Sequence, residues 1–490
     1  MKYHYLLLFV LCFQSAVLFG QKVTGKVVDE DSNPIPYATI QLGENYGVVS
    51  NMEGEFTIYV TDQPEAVIVK ISFMGYETLE IPVDQFTDGT YTLKISAEEL
   101  DEVLVTNRNL SPEEIIEKMM EAAPDNYLGK EIQQTFFIRN QDEQKLLDFS
   151  FEIDKATELS RSQLKDLNAK IEDMAGRLKG KSFNFFSEYY GRYARKEDSS
   201  KIHIEKAVVL KDKEREISTD AITKNLINVI RTHLEPDATY KVKTGLFKVE
   251  DSLKTDEIFD EDIDSTKGKT KYLKYMVSGQ NRFYNNFYKD KDLDFLDKTR
   301  RYRYTLEGYT NIDEELVYII SFKPDRGSSK FFGKLYINVF DFALMRMDYE
   351  MLEDEHLSNV NLKFLLGVKF TENKMKVTSV FRKNEEGKYA LKFGRRTNGF
   401  YAYISRPLKF IKNKEDRSDD RKVMKFDFMV EMDNLSTIEI YCPDNSAMKE
   451  VDYAAMENQK RYEPIEISKY DPQIWEGYNI IAPIEAIKSY

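Results

Sequence analysis

The stretch Val23-Thr24-Gly25-Lys26-Val27-Val28-Asp29 decides how the front of this chain folds. Its apolar and polar residues alternate with a period of two, which is the pattern of a β-strand with one buried face. A turn signal follows at Asn33-Pro34-Ile35-Pro36, and the alternation resumes through Ala38, Ile40 and Leu42. The stretch therefore predicts the first strands of a small all-β module.

Four further strand patterns follow at short, regular intervals, over residues 54–60, 66–73, 76–83 and 90–95. Turn signals separate them, at Asn51-Met52-Glu53-Gly54, at Gly75 and at Asp88-Gly89. Short strands punctuated by Gly, Pro and Asn are typical of a β-sandwich. We therefore expect one sandwich over residues 21–106, closing with Leu100-Asp101-Glu102-Val103.

The spacing of residues in this region resembles the carboxypeptidase-regulatory-like domain. The shared pattern is Gly25-x-Val27-x-Asp29, Pro34-x-Pro36-x-Ala38-x-Ile40, Ser50-x-x-x-Gly54-x-Phe56-x-Ile58, Ser72-x-x-Gly75-Tyr76 and Leu100-x-Glu102-Val103. The resemblance implies a transthyretin-like (prealbumin-like) β-sandwich, which is common in Bacteroidetes envelope proteins, including the front of many TonB-dependent receptors. It implies no catalytic residues, and the glycines and prolines are interpreted as turn formers.

The first twenty residues have the composition of a secretory signal. Lys2 precedes an apolar run, from Tyr5 to Phe19, that is too short for a permanent membrane span. We expect cleavage after Ala16 or Gly20, and Leu11 argues against lipidation of Cys12 because a small residue is expected there. No later segment reaches the roughly 20 apolar residues of a membrane-spanning helix. The chain is therefore predicted to cross the inner membrane and to reside in the periplasm or at the outer membrane.

Composition narrows the class of protein further. The chain has 70 Lys and Arg against 84 Asp and Glu, for a net charge of −14, which argues against nucleic acid as a partner. Once Cys12 is removed with the signal, Cys442 is the only thiol, so the core alone must hold the fold. The 31 Tyr and 31 Phe suit sheet surfaces and sheet cores. We expect a mainly β protein with some α.

Residues 107–300 are predicted to form a helix-containing α+β region. The first helix begins after Ser111 as N-cap with Pro112 at its first position, and is expected to end at Pro124. A third helix is expected over residues 219–234.

The second predicted helix has apolar residues at alternating spacings of three and four: Leu164, Leu167, Ile171, Met174 and Leu178. This short seam could pair two helices or two subunits, or pack on its own domain, and its length favours the last. The aromatic run from Phe183 to Tyr193 could be a binding platform or the buried side of an element. Core packing is again favoured.

Residues 301–440 contain consecutive strand patterns, unlike the preceding region. These patterns lie at 302–306, 316–322, 333–339, 344–349, 361–370, 374–381 and 426–432. Short connections such as Asn384-Glu385-Glu386-Gly387 predict antiparallel hairpins. We expect a large curved antiparallel sheet, followed by a C-terminal extension over residues 441–490. Residues 319–348 faintly resemble the half-open barrels of lipoprotein-carrier proteins, which implies a sheet wrapped around an apolar cavity. An outer-membrane barrel is disfavoured because charges such as Lys334 and Arg346 interrupt the apolar face.

Motifs that carry chemistry are missing from the sequence. His203, His233 and His356 are far apart and have no zinc-binding spacing. Asp260-x-Asp262-x-Asp264 has the spacing of a calcium loop, but Ser265 stands where Gly is needed and Lys271 where Glu should close the site. Cys442 has no base indicated nearby. We therefore predict no catalytic, cofactor-binding or metal-binding residues and no enzyme activity.

Three hypotheses for the function remain open. The leading one is a non-catalytic binding or accessory protein with another envelope protein as its partner. The second is a carrier that holds a lipid or other apolar ligand in a cavity of roughly 300–1,000 Å³. The third is a hydrolase with two unmarked carboxylates in one cleft. A run of cations from Lys392 to Lys422, offset by acids, could contact anionic lipid or polysaccharide, although a solvated mixed-charge face is favoured.

Overall fold

The computed structural model describes residues 21–43, 46–60, 67–96, 110–210, 228, 232, 234–235, 238–245, 247–254, 268–313, 315–325, 327, 329–413 and 422–489. Several predicted features lie outside these ranges. They are the signal with Cys12, the closing segment Leu100–Val103, nearly all of the third helix, the loop Asp260–Asp264, His233 and residues 414–421.

The N-terminal module is built from seven strands: Gln21–Val28 (β1), Thr39–Leu42 (β2), Tyr46–Val49 (β3), Glu55–Val60 (β4), Ile68–Ser72 (β5), Leu79–Pro82 (β6) and Gly89–Thr92 (β7). They form two sheets, in the orders β4-β1-β7 and β3-β2-β5-β6. The apolar positions of the opening stretch, Val23 and Val27, are fully buried in one cluster with Ile40, Phe56 and Ile71. The predicted β-sandwich is confirmed; strand β3 was not anticipated.

The described helices are Pro112–Asn126 (α1), Arg161–Leu178 (α2), Thr270–Asn285 (α3), Asp294–Asp297 (α4), Lys363–Leu366 (α5), Glu450–Ala455 (α6) and Glu485–Lys488 (α7), with 3-10 turns at Val83–Gln85, Phe287–Lys289 and Thr299–Arg301. Helix α1 starts with a capping box, in which Ser111 Oγ accepts from the amide of Glu114 and the Glu114 carboxylate accepts from the amide of Ser111. The predicted end at Pro124 is wrong by two residues. The helix continues to Asn126 because Pro124 lies in its last turn, where only one backbone bond is lost.

The remaining strands are Ile132–Ala156 (β8), Ser182–Lys196 (β9), Ser199–Leu210 (β10), Thr239–Thr244 (β11), Phe247–Lys254 (β12), Gly268–Lys269 (β13), Tyr302–Ile312 (β14), Glu315–Pro324 (β15), Phe331–Asn338 (β16), Leu344–Met351 (β17), Ser358–Leu362 (β18), Val368–Lys383 (β19), Tyr389–Lys412 (β20), Val423–Tyr441 (β21), Asn445–Ala447 (β22), Arg461–Tyr462 (β23) and Ile465–Ile467 (β24).

Fifteen of these strands form one large sheet in the order β14-β15-β16-β17-β19-β20-β21-β8-β9-β10-β24, with β11, β12, β18 and β22 attached at its sides. The sheet takes strands from both sides of the boundary predicted at residue 300, since β21 pairs with β8 along its length. The pairings are antiparallel except that β24 runs parallel to β10, so the sheet is mixed rather than purely antiparallel. The hairpin predicted at Asn384–Gly387 joins β19 to β20.

One strand prediction in this region is wrong. Residues 361–370 were expected to be a single strand, but the chain reverses within them, through α5, and forms the hairpin β18–β19. Gly367 ends α5 with a φ of 63°, a left-handed conformation that favours glycine. Because the residues of this turn are apolar, the hydrophobic pattern of the sequence does not distinguish it from a strand.

The two faces of the large sheet are covered by different elements. Helices α1, α3 and α4 pack on one face, which we call the helix face, and bury Ile116, Val277 and Phe295 in one cluster with Phe136 and Ile138 of β8. Helix α2 packs on the far end of the sheet, where Ile171 and Leu178 join a second cluster. The apolar seam of α2 therefore packs on the large sheet of the same chain. The aromatic run is also core: Phe183, Phe186, Tyr189 and Tyr193 are buried.

Candidate binding cleft

The N-terminal module and the C-terminal extension both pack on the opposite face of the sheet, which we call the module face. The Tyr37 ring stacks on Phe393 of β20 with their centroids 4.5 Å apart. The hydroxyl of Tyr441 donates to the carbonyl of Gly47 at 2.6 Å. The module is therefore held on the sheet by specific contacts.

A row of four charges, three buried and one half-buried, crosses the module face on adjacent strands. Direct cross-strand pairing places Arg395 of β20 beside Glu439 of β21, Glu439 beside Arg139 of β8, and Arg139 beside Glu188 of β9. The signs alternate along the row, so each charge has a neighbour of opposite sign. No local pattern in the sequence predicts this row, because its members are separated by up to 300 positions in the chain.

Arg139 is the hub of this network. Its Nε donates to Glu188 Oε1 at 2.7 Å, and its two terminal nitrogens donate to the carbonyls of Ala482 and Ile481 at 3.0 and 2.8 Å. Trp475 Nε1 donates to the second oxygen of Glu188 at 2.5 Å. Burial alone would lower the pKa of Arg139, but the adjacent carboxylates outweigh it and the pKa is raised. The network therefore ties the C-terminal extension to the centre of the sheet.

The C-terminal extension also contacts the module directly, through hydrogen bonds and an ion pair. Asn51 Nδ2 donates to the carbonyl of Pro483 at 3.0 Å, and the carboxylate of Glu53 accepts from the amide of Glu485 at 3.0 Å. The ammonium of Lys488 pairs with Glu55. Module, extension and sheet thus form one connected packing unit, which fixes the shape of any cleft between them.

A cleft of about 560 Å³ opens between the module and the sheet. The module contributes Thr39, Gln41, Gly47 and Val48 to its walls. The sheet and the following segment contribute mostly polar and charged residues: Gln133, Asp313, Glu315, Met345, Arg382, Lys383, Asn384, Glu385, Glu386, Ala390, Lys392, Pro443, Asp444, Asn445, Ser446 and Lys449. Both cations and anions line the cleft, so it is polar without a single dominant sign. A second opening, of about 500 Å³, lies between the module and the C-terminal extension.

Two carboxylates meet beside this cleft. Glu315 Oε2 and Asp341 Oδ2 each lie 3.0 Å from the Tyr389 hydroxyl, and Lys383 Nζ lies 2.7 Å from Glu315 and 3.2 Å from Asp341. Asn338 also donates to Glu315. The lone pairs of both acids are engaged by structural partners, and these contacts join three hairpins of the sheet. The pair therefore suits a structural role better than general acid–base catalysis.

Lys392 is the cleft residue with the strongest electrostatic perturbation. Its Nζ donates to the carbonyl of Pro443 at 2.8 Å and lies 5.5 Å from the centre of the Tyr441 ring. Burial disfavours the ammonium form and lowers the pKa of Lys392 to about 8. The residue was named at the sequence level only as part of the basic run, since nothing local in the sequence indicates burial.

Because the pKa of Lys392 is lowered in the folded chain, we expect the effect of removing this residue on the free energy of unfolding to depend on pH. Between pH 8 and the ordinary lysine pKa of about 10.4, the unfolded chain binds more protons than the native chain, so this residue's contribution to stability rises with pH. Relative to Lys392→Met, the wild type should gain about 2 kcal/mol in free energy of unfolding from pH 8 to 10. Urea unfolding of both proteins across this range measures the difference. Lys165→Met, at an exposed position of α2, controls for loss of a lysine, and a difference that is constant with pH would contradict the expectation.

The residues considered for chemistry at the sequence level do not converge. His203 lies on β10 with Nδ1 3.8 Å from Glu457, and His356 lies beyond β17. Cys442 is fully buried beneath the helices of the helix face, and burial raises the pKa of its thiol. Among the described residues, no group of three or more His, Cys, Asp or Glu side chains is arranged to hold a metal ion.

The N-terminal module matches a known domain family. Residues 23–105 are a CarboxypepD_reg-like domain. Over 85 residues the chain is 38% identical to TonB-dependent receptor P39 of Formosa agariphila, an alignment that covers 17% of this chain and 8% of the receptor. The chain thus spans less than a tenth of that relative's length, and the likeness concerns the module alone.

Solved structures align with the chain at low similarity. A DUF1329 family protein from Desulfovibrio piger has 11% identity and a TM-score of 0.18, with 68% of this chain and 91% of that chain covered. A domain from Vibrio parahaemolyticus named as an outer membrane lipoprotein-sorting protein has 6% identity and a TM-score of 0.17, with 69% and 97% covered. A membrane-associated protein of unknown function from Bacteroides fragilis has 8% identity and a TM-score of 0.12, with 87% and 98% covered. Alignments at this level carry no argument about function.

In the part of the chain that the structure describes, every helix is too short or too polar to cross a bilayer.

Proposed function

We propose that this chain is a non-catalytic binding protein of the bacterial envelope, and that the module and the large sheet together recognise another envelope protein. The observation that carries the proposal is the cleft of about 560 Å³ whose walls come from both parts. Because the charged row and the C-terminal extension fix the module on the sheet, the cleft is formed before any partner arrives. Preorganisation of this kind lowers the entropic cost of binding.

The chemistry of the cleft favours a polar partner segment. Lys392 and Lys449 lie among Glu385 and Asp444, so the walls offer donors and acceptors of both signs. A polypeptide with charged side chains can match such a pattern, whereas an apolar ligand would leave these groups without water or partners. The envelope location rests on the predicted signal and on the receptor likeness of the module.

The carrier remains the second candidate, and it requires an apolar cavity on the helix face. Within the described ranges that face is packed with helical side chains such as Ile116, Val277 and Phe295, each fully buried. A lipid could enter only after a helix had moved away. The hydrolase alternative rests on the acids Glu315 and Asp341, and both of them already contact Tyr389 and Lys383.

Site-specific photo-crosslinking in the native envelope tests the proposal. A benzophenone amino acid is placed at Glu385 or Lys449, two exposed cleft positions, and at Tyr272 of α3 as a control that is 72% exposed on the other side of the sheet. We expect both cleft positions to yield the same discrete protein adduct and the control to yield none.

The result that would overturn the proposal is equally specific. Adducts that appear equally from Tyr272, or no adduct from either cleft position, would show that the cleft is not a protein-binding site. Native mass spectrometry of the purified chain addresses the carrier in parallel. A lipid bound in stoichiometric amount would indicate that the binding site lies on the helix face and not in the cleft.

A further inference from the structure

The hairpin β18–β19 projects two large apolar side chains from its turn. Phe364 and Leu365 are 104% and 81% exposed, which makes them the most exposed large apolar residues among those described. The turn is fixed rather than loose, because Ser405 of β20 donates its amide to the carbonyl of Gly367 at 2.7 Å. Exposed apolar patches of this kind mark sites of interaction.

The patch extends beyond the turn. Val360, Leu362 and Ile404 are also exposed, and the register places Leu362 beside Val368 and Val368 beside Ile404 in one cross-strand row. The neighbouring β11–β12 hairpin adds Phe247, which is 56% exposed.

Arg406 joins the two hairpins at the patch. It donates to the carbonyl of Leu366 at 2.6 Å and to Thr244 Oγ1 at 3.0 Å, and its guanidinium lies 5.9 Å from the centre of the Phe247 ring. We call this surface, formed by residues 360–369, Ile404, Arg406 and Phe247, the tip patch.

Cations surround the tip patch. Lys363 Nζ lies 3.8 Å from the centre of the Tyr403 ring, and Lys369 Nζ lies 5.0 Å from that of Tyr401. The three segments that meet here, residues 241–248, 361–370 and 401–413, contain lysines and arginines but no aspartate or glutamate. In a chain of net charge −14 this is a local reversal of sign. Two neighbouring acids already have partners. Asp251 pairs with Lys241 and Lys248, and Glu431 accepts from the Tyr401 hydroxyl at 2.7 Å. The cations left to the tip patch are therefore Lys363, Lys369 and Arg406.

We propose that the tip patch docks on the surface of an anionic membrane. Phe364 and Leu365 enter the boundary between headgroups and acyl chains, while Lys363, Lys369 and Arg406 contact lipid phosphates. An apolar protrusion ringed by cations matches both layers of such an interface, which is apolar below and negatively charged above. A protein partner would need an apolar pocket lined with acids to match this surface. An anionic lipid surface provides both the apolar layer and the negative charge without a pocket. The inference does not depend on the cleft, which is lined by a different set of residues.

Vesicle flotation tests this inference on the chain without residues 1–20. The probes are vesicles of phosphatidylglycerol mixed with phosphatidylcholine, and vesicles of phosphatidylcholine alone. We expect binding to the anionic vesicles only, weakened by salt. Replacing both Phe364 and Leu365 by Ser should reduce the partition coefficient on the order of a hundredfold. Lys363→Gln and Lys369→Gln should each reduce it about fivefold.

A matched control is available at another hairpin. Phe340, 74% exposed at the β16–β17 turn, is followed by Asp341 rather than by a cation. Phe340→Ser should bind vesicles like the wild type, and circular dichroism should show the same fold for all variants, since the changed side chains are exposed. Absence of wild-type binding to anionic vesicles, equal binding to neutral ones, or undiminished binding of the double Ser variant would each overturn the proposal. So would capture of an envelope protein by a crosslinker at Leu365 without vesicle binding.

Discussion

Arg139→Ala is expected to lower the free energy of unfolding by about 3–5 kcal/mol. The substitution leaves Glu188 and Glu439, which are 0% and 4% exposed, buried without their central cation. It also removes the donors to the carbonyls of Ile481 and Ala482, which anchor the C-terminal extension. Removal of one partner from a buried charge network is costly because the remaining charges cannot regain their hydration.

The chain provides a local reporter for this effect. Trp475 is its single tryptophan, and the indole donates to Glu188 within the network. In Arg139→Ala we expect red-shifted tryptophan emission at urea concentrations where circular dichroism still reports a folded sheet. The control is Arg177→Ala, which breaks an exposed pair with Asp173 on α2 and should cost less than about 1 kcal/mol. Similar costs for the two variants would show that the row does not hold the extension.

The module could be predicted almost completely because its signals are local. Its strands pair within fewer than 70 positions, and several of its turns are marked by a glycine where the backbone requires one. At Gly54, for example, φ is 75° and a Cβ atom would lie 2.4 Å from the carbonyl of Val27. Alternation then decides which face of each strand is buried. Such information lies within one stretch of sequence and is visible without the fold.

The large sheet and its charged row could be predicted only in pieces. Most strands after residue 301 were recognised, although residues 361–370 were expected to form one strand and β20 was not named. The pairing of β8 with β21 joins segments about 300 positions apart, and no local pattern encodes it. Lys334 and Arg346 look like interruptions of apolar strands in the sequence. In the structure Lys334 pairs with Glu307, two strands away in the sheet, and Arg346 pairs with Asp348 on its own strand. The partner of Lys334 can be identified only once the strand order is known.

Phe295→Ala is the second substitution with a large expected effect. It tests how much the packing on the helix face contributes to stability. The ring is fully buried and stacks on Phe322 of β15 at 4.4 Å, with Tyr349 of β17 at 5.1 Å. Removal of a buried phenyl ring costs about 3–5 kcal/mol, because transfer energy is lost and a cavity remains. Urea unfolding measures the cost, and Phe340→Ala, at an exposed turn, should stay within about 0.5 kcal/mol of the wild type.

The size of this effect separates the two leading functions. Helix α4 has only four residues, so its position depends on the packing of Phe295 and Leu296 rather than on its own hydrogen bonds. A loss of about 3–5 kcal/mol would mean that the helices belong to the cooperative core. A ligand on that face would then have to displace this core. A loss below about 1 kcal/mol would instead show that α4 lifts at little cost. The helix face would then be able to open, and the carrier would become the better account of this chain.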